Sequence, residues 1–229
     1  AVGIDGCSNG WLASLSKPFD FENCFCLYSK SLDELLSKLP ERNLIIVDIP
    51  IGLEEKKHIR ECDIKAREFI GPRRHSIFAP PCKKASLQND YASANKLNKE
   101  ITSYGLSKQT WMINEKLKET QKLIEKGYLL NEGHPECSFR ELKGDFLKFG
   151  KSGLLGFFER LNLVTKLGFD PISLKKQLSN DIKAKPDDLL DSLILCWSAS
   201  RHIEKKGIYL GLNKRSKKPS DKNKSLILV

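Results

Sequence analysis

Long apolar runs are missing from this chain: nowhere do uninterrupted hydrophobic residues approach the roughly 20 needed to span a bilayer. The first residues also carry no signal-peptide pattern. Both absences lead us to expect a cytoplasmic protein with no membrane partner. Paired cysteines are missing too. The seven stand apart as Cys7, Cys24, Cys26, Cys62, Cys82, Cys137 and Cys196, an odd number with no C-x-x-C spacing. That pattern argues against a zinc site or a disulfide framework and leaves reduced core thiols. No internal repeat is present, and low complexity is confined to one basic run near the C-terminus.

What remains is an ordinary globular composition, with 40% hydrophobic and 30% charged residues over 229 positions, enough for one large domain or two small ones. The formal net charge of +10 is concentrated late, with six basic residues and one acid between Lys214 and Lys224. Such a run is a solvated tail or, alternatively, a contact for a phosphate backbone, since positive surface attracts polyanions without reading sequence.

The most informative stretch is Leu44-Ile45-Ile46-Val47-Asp48-Ile49-Pro50-Ile51-Gly52. Its unalternating aliphatic run predicts a strand buried on both faces. Pro50 cannot donate to a ladder and restricts Ile49, so the strand should stop near Asp48. A carboxylate is thereby placed at the carboxyl end of a central strand, where open α/β sheets bind ligands.

Before it, Val2–Gly6 reads as a strand ending near Asp5, Asn9-Gly10 as a hairpin turn, Trp11–Leu15 as the returning strand and Asn23–Ser29 as a third. Ser31 with Glu34 forms a capping-box pattern for a short leucine-striped helix ending near Pro40. Helices are expected at 57–70, 87–101 and 107–125, separated by the Gly- and Pro-rich loop 71–81 that holds Arg73 and Arg74. A fifth strand should cover 128–133, followed by a helix opening at Pro135-Glu136. The last long helix starts at Lys185-Pro186-Asp187-Asp188 and buries Leu189, Leu190, Leu193, Ile194 and Trp197. Asp188 and Asp191 then lie together, one turn apart, on its other face.

The βββαβ order is that of the first half of a ribonuclease H-like fold. The expected architecture is therefore α/β, with a mixed five-stranded sheet flanked by helices. Its core covers about 1–53 and 128–212 of a single domain over 1–229, with a helical insertion at about 54–127 and a basic segment at about 213–229.

Asp5 and Asp48 end two strands expected to be parallel neighbours, and Asp188 and Asp191 open a helix able to pack beside them. Carboxylates gathered so closely raise one another's pKa unless cations hold them ionised, and oxygen-only ligation favours magnesium or manganese. Glu136 is a further candidate ligand. Arg73, Arg74, Lys108 and His134 are candidate phosphate contacts, the arginines because a guanidinium fork matches phosphate geometry.

Val2-Gly3-Ile4-Asp5-Gly6-Cys7 followed by Gly10-Trp11, Val47-Asp48-Ile49-Pro50-Ile51-Gly52-Leu53, Gly71-Pro72-Arg73-Arg74, Gly105-Leu106-Ser107, Glu132-Gly133-His134-Pro135-Glu136 and Asp187-Asp188-Leu189-Leu190-Asp191 together resemble domain-of-unknown-function family 429, described as predicted ribonuclease H-like nucleases. The resemblance implies a metal-dependent nuclease acting on DNA or RNA, with Asp5, Asp48 and an acid of the last helix in catalytic positions. Asp188-x-x-Asp191 is also similar to the closing acids of Holliday-junction resolvases.

Two alternatives stand beside it. One is a non-catalytic module binding nucleic acid or protein on the same fold. The other is a phosphotransferase of the sugar-kinase and actin type, which needs a second glycine-rich phosphate loop that this chain does not contain.

Overall fold

A computed structural model describes residues 1–41, 43–178, 184–211 and 225–229; the basic run at 214–224 lies outside the described residues. The chain opens with the antiparallel strands β1 (Val2–Cys7), β2 (Gly10–Leu15) and β3 (Phe25–Ser29), followed by helix α1 (Leu32–Ser37) and strand β4 (Ile45–Val47). Ser31 caps α1 by accepting the Glu34 N–H at 3.2 Å, while the Glu34 carboxylate turns to Ser29 and Lys38 instead of closing a capping box. In the first hairpin Cys7 faces Gly10, so the two-residue loop is Ser8-Asn9, one residue earlier than expected.

Five helices and a 3-10 turn separate β4 from β5 (Asn131–Gly133): α2 (Glu61–Ile70), the turn Gly71–Ser76, α3 (Lys83–Ser86), α4 (Tyr91–Thr102), α5 (Lys108–Met112) and α6 (Asn114–Glu125). After β5 come α7 (Pro135–Lys143), α8 (Leu154–Thr165), α9 (Pro171–Gln177) and α10 (Pro186–Ile203), then the two-residue strands β6 (Tyr209–Leu210) and β7 (Ile227–Leu228).

The sheet has seven strands in the order β3-β2-β1-β4-β5-β7-β6, which corrects the expectation of five. Both additional strands come from the end of the chain. β7 lies parallel to β5 with Glu132 facing Ile227, and β6 lies antiparallel to β7. The segment expected to be only basic thus returns to the sheet at its end.

Alternation along the strands sorts the core into two layers. Val2, Ile4, Val47 and Ile49 pack with α1 and α6 through Leu32, Leu35, Leu117 and Leu123. On the opposite face, Ile46 packs with Leu190, Leu193, Ile194 and Leu195 of α10 and with Phe139 of α7. All seven cysteines are buried and unpaired, as the sequence leads one to expect.

Helix α10 departs from the one-sided pattern read from its leucines. Every residue from Leu189 to Ser200 is buried, including Asp191, Ser192, Ser198 and Ser200. The cause lies in β1. A methyl group built on Gly3 would meet the Ser192 carbonyl oxygen and the Cys196 nitrogen at 2.2 Å, so the helix backbone lies directly on the strand. Small side chains on α10 permit that approach, and the Ser192 hydroxyl meets that of Ser14 at 2.7 Å beneath the helix. Gly3→Ala is therefore expected to push α10 off the sheet at a cost of roughly 1–3 kcal/mol, the usual range for overpacking. Thermal unfolding of that variant at the wild-type melting temperature would contradict the close approach.

Candidate metal centre

Three strand ends and one helix start converge on the same edge of the sheet. Strands β1 and β4 are parallel with Ile4 facing Val47, and the Asp48 N–H donates to the Ile4 carbonyl at 2.9 Å. The next residues on the two strands, Asp5 and Asp48, are thus neighbours. Since Val2 and Ile4 face α1 and α6, Gly3 and Asp5 face α10. Gly3 meets α10 at Ser192, Leu195 and Cys196, and residues one turn earlier on the helix are Asp188 and Asp191. Two residues along β1 and one turn along α10 are comparable distances. The acid pair therefore falls opposite Asp5.

The electrostatics follow from that placement. Asp5 is 6% exposed, and burial followed by the charges of Asp48, Asp191 and Asp188 holds its carboxyl well above the usual range, with Lys151 opposing. Asp48 is only partly buried. Its carboxyl is also raised by desolvation, against the influence of His134, Lys151 and a hydrogen bond from Asp5. Neighbouring carboxyls whose charges oppose one another favour a shared proton or a bound cation. Asp191, 1% exposed, is pushed up to about 6 by burial, with Lys151 acting against the shift. Asp188, partly buried, is raised chiefly by desolvation while its carboxylate accepts the Lys185 N–H at 2.7 Å as an N-terminal cap.

Lys151 carries no local pattern that marks it as a site residue, yet its ammonium donates to Asp191 at 2.7 Å and lies in the field of Asp5 and Asp48. Among the described residues it is the only cationic side chain hydrogen-bonded to any of the four aspartates. Lys116 also lies in the field of Asp5 and Asp188, so two lysines face four carboxylates; the excess negative charge that remains must be compensated by protonation or a bound cation.

The other candidate residues divide. Glu136, at the start of α7, acts on Asp48 and Asp191 but is itself buried and paired. Arg160 donates to its Oε1 at 2.6 Å, and Arg73 reaches both oxygens at 3.3 and 3.4 Å. Its charge is thus committed to two arginines, and Arg73 is correspondingly less free for phosphate. His134 caps α7 beside Asp48, with a buried Nδ1 that has no hydrogen-bond partner among the described residues. Arg74 and Lys108 are exposed on the helical insertion, and neither forms an ion pair with the acids of this cluster among the described residues. The acids that open α1 are engaged elsewhere, Asp33 with Lys126 at 3.2 Å and Glu34 with Lys38 at 2.7 Å.

A second buried acidic group joins α2 to β5, where ligand atoms of Cys62, Asp63 and Glu132 fall within 4.8 Å of one another. Its carboxylates already have a cation. Arg60 donates to Asp63 at 2.6 and 2.9 Å and to Glu132 at 2.6 and 2.7 Å, with a further bond to the Ile51 carbonyl. This is an ion-pair triad that ties α2 and β5 to the loop just after Asp48. Arg60, Arg160 and Lys151 share one weakness as sequence signals, since each takes its meaning from an acid remote in the chain.

No helix among the described residues is long and apolar enough to cross a membrane. No curated protein and no solved structure matches the chain. The family model described as a protein of unknown function, DUF429, matches residues 3–212, and the chain belongs to that family.

Proposed function

We propose that the protein is a metal-dependent nuclease built on a ribonuclease H-like core. The order of its first five strands, β3-β2-β1-β4-β5, with the crossover through α1 between β3 and β4, supports that core. The observation that carries the reading is the adjacency of Asp5 and Asp48 at the ends of neighbouring parallel strands, with Asp191 and Asp188 brought over them by α10.

Magnesium or manganese fits the donor set. The four aspartates offer hard oxygen ligands, and their raised carboxyls are those that a divalent cation would return to the ionised state. The unpartnered Nδ1 of His134 beside Asp48 marks a polar group that the described residues leave unsatisfied. A divalent cation held by Asp5, Asp48, Asp188 and Asp191 would supply the Lewis acidity that generates hydroxide from water and stabilises the leaving oxygen of a phosphodiester. The protein's own part is preorganisation. Asp5 and Asp48 are fixed by the sheet register, Asp188 by its backbone cap and Asp191 by Lys151. Lys151 adds a fixed positive charge where phosphate oxygens would collect negative charge in the transition state.

Incubation of the purified chain with labelled single-stranded, duplex and branched DNA and RNA, with magnesium or manganese and with EDTA, tests the activity. Metal-dependent cleavage that Asp48→Asn abolishes is the expected result. Cleavage that survives this change removes Asp48 from the mechanism.

One observation favours the second reading, a binding module without catalysis: the Lys151–Asp191 pair already places a cation among the acids. The two readings differ over Lys151→Met. If the lysine competes with a divalent ion for the same carboxylates, its removal should tighten manganese binding roughly tenfold, equivalent to about 1.4 kcal/mol. Calorimetric titration showing unchanged affinity would place manganese elsewhere.

A further inference from the structure

On the helical insertion, the 3-10 turn Gly71–Ser76 sends successive arginines in different directions. Arg73 turns inward to Glu136 at the edge of the acidic centre, whereas Arg74 lines a separate open cleft of about 430 Å³ between this turn and the 105–110 segment. The cleft also carries Arg67, His58 and His75, and its wall contains no Asp or Glu among the described residues.

Three features make it more than a basic surface. Arg67 is already oriented, since its Nε and Nη2 donate to the Ile77 carbonyl at 3.1 and 2.8 Å, leaving Nη1 without a hydrogen-bond partner among the described residues. Arg74 and His75 have no ion-pair or side-chain hydrogen-bond partner among the described residues, so positive charge is held in a concave site without an internal counter-ion. Planar apolar surface lies beside the charge: Phe78, in the wall, is 46% exposed, and Tyr104, 56% exposed, stacks on His58 at 4.0 Å. Arginine forks match phosphate, and exposed rings offer stacking surface to a base of any identity.

The geometry points to a nucleotide-binding cleft, in which Arg74, His75 and Arg67 receive a phosphate and Phe78 stacks on the attached base of a single nucleic-acid strand. The inference deepens the nuclease reading by naming where the strand is held outside the acidic centre. It rests on that reading only for the choice of nucleic acid over other phosphate esters. Since Arg73 and Arg74 are consecutive, a strand seated in the cleft would leave it beside Glu136.

The test is fluorescence anisotropy with a fluorescein-labelled 12-nucleotide oligo(dT) and the full chain in EDTA, so that neither metal nor cleavage enters. Arg74→Ala/His75→Ala is expected to weaken binding at least tenfold. It should also make the dependence of log affinity on log salt shallower by about 0.7 for each phosphate that is no longer neutralised. Phe78→Ala should weaken binding at least fivefold with the salt slope unchanged, the signature of a missing stack. Absence of cleavage in the metal-dependent assay, with these binding losses intact, would sink the nuclease reading and spare the cleft. Wild-type affinity in Arg74→Ala/His75→Ala would overturn the cleft, as would a Phe78→Ala loss accompanied by an equal loss of salt dependence.

Discussion

Asp5→Asn is expected to make the metal-free protein more stable and, at the same time, to eliminate cleavage. Asp5 is buried with three other aspartates in its field and, among the described residues, no cationic side chain bonded to it, so its ionised form is held at a cost. Asparagine keeps the shape, can donate to Asp48 and removes one charge.

The direction with pH follows from linkage. The carboxyls of Asp5 and Asp191 are raised on folding, so the native state binds more protons than the unfolded chain, and stability falls as pH rises. For Asp191 this contribution is fully present below about pH 3.8 and is lost as pH passes about 6. Metal-free wild type should therefore lose melting temperature relative to Asp5→Asn on going from pH 4 to pH 7.5. Each kcal/mol corresponds to about 2–4 °C for a chain of this size. Manganese should restore wild type and leave Asp5→Asn unmoved. With cleavage as the readout, the loss should be about a hundred- to a thousandfold or greater, the scale on which a principal electrostatic group contributes. An Asp5→Asn protein that is less stable than wild type without metal, yet still shifted by manganese, would show that Asp5 is neither strained nor a ligand.

Arg60→Met is expected to be the most damaging substitution outside the centre. The guanidinium is 2% exposed and serves two carboxylates as well as the Ile51 carbonyl, while Glu132 also accepts the Ile51 N–H at 2.6 Å. Removing the cation leaves Asp63 and Glu132 buried and uncompensated, a situation that usually costs about 3–5 kcal/mol. The melting temperature should fall by roughly 10 °C. Because the same contacts hold the segment following Asp48, manganese affinity should weaken as well. Adding Glu132→Gln to Arg60→Met should recover part of the loss, since one stranded charge disappears. Additive losses in the double variant would mean that the triad is not an electrostatic unit.

The parts of this arrangement that could be read from sequence are those written in local pattern. The aliphatic run closed by Pro50 locates Asp48, and the leucine periodicity after Pro186 locates the helix that carries Asp188 and Asp191 but not the burial of Asp191. Strands β6 and β7, two residues each, are too short to leave a pattern, and the pairing of β7 to β5 and of β6 to β7 is decided by the sheet edge. Gly3 sits inside an apolar strand pattern that says nothing of its role, which is to let α10 lie against β1. The cations were the least legible. Lys151 stands in the Gly150-Lys151-Ser152-Gly153 loop without periodicity and meets an acid 40 residues away, and Arg60 meets Glu132 across 72. Arg160 follows Glu159 in α8 like an ordinary surface charge pair, and nothing local marks its buried bond to Glu136.

Whether four remote aspartates form one cation site is measured directly by anomalous diffraction from crystals equilibrated with manganese. The predicted result is a peak with Asp5 and Asp48 in its coordination shell and Asp188 or Asp191 completing it. Saturating manganese that leaves this position empty, or that appears only beside Cys62, Asp63 and Glu132, would contradict it.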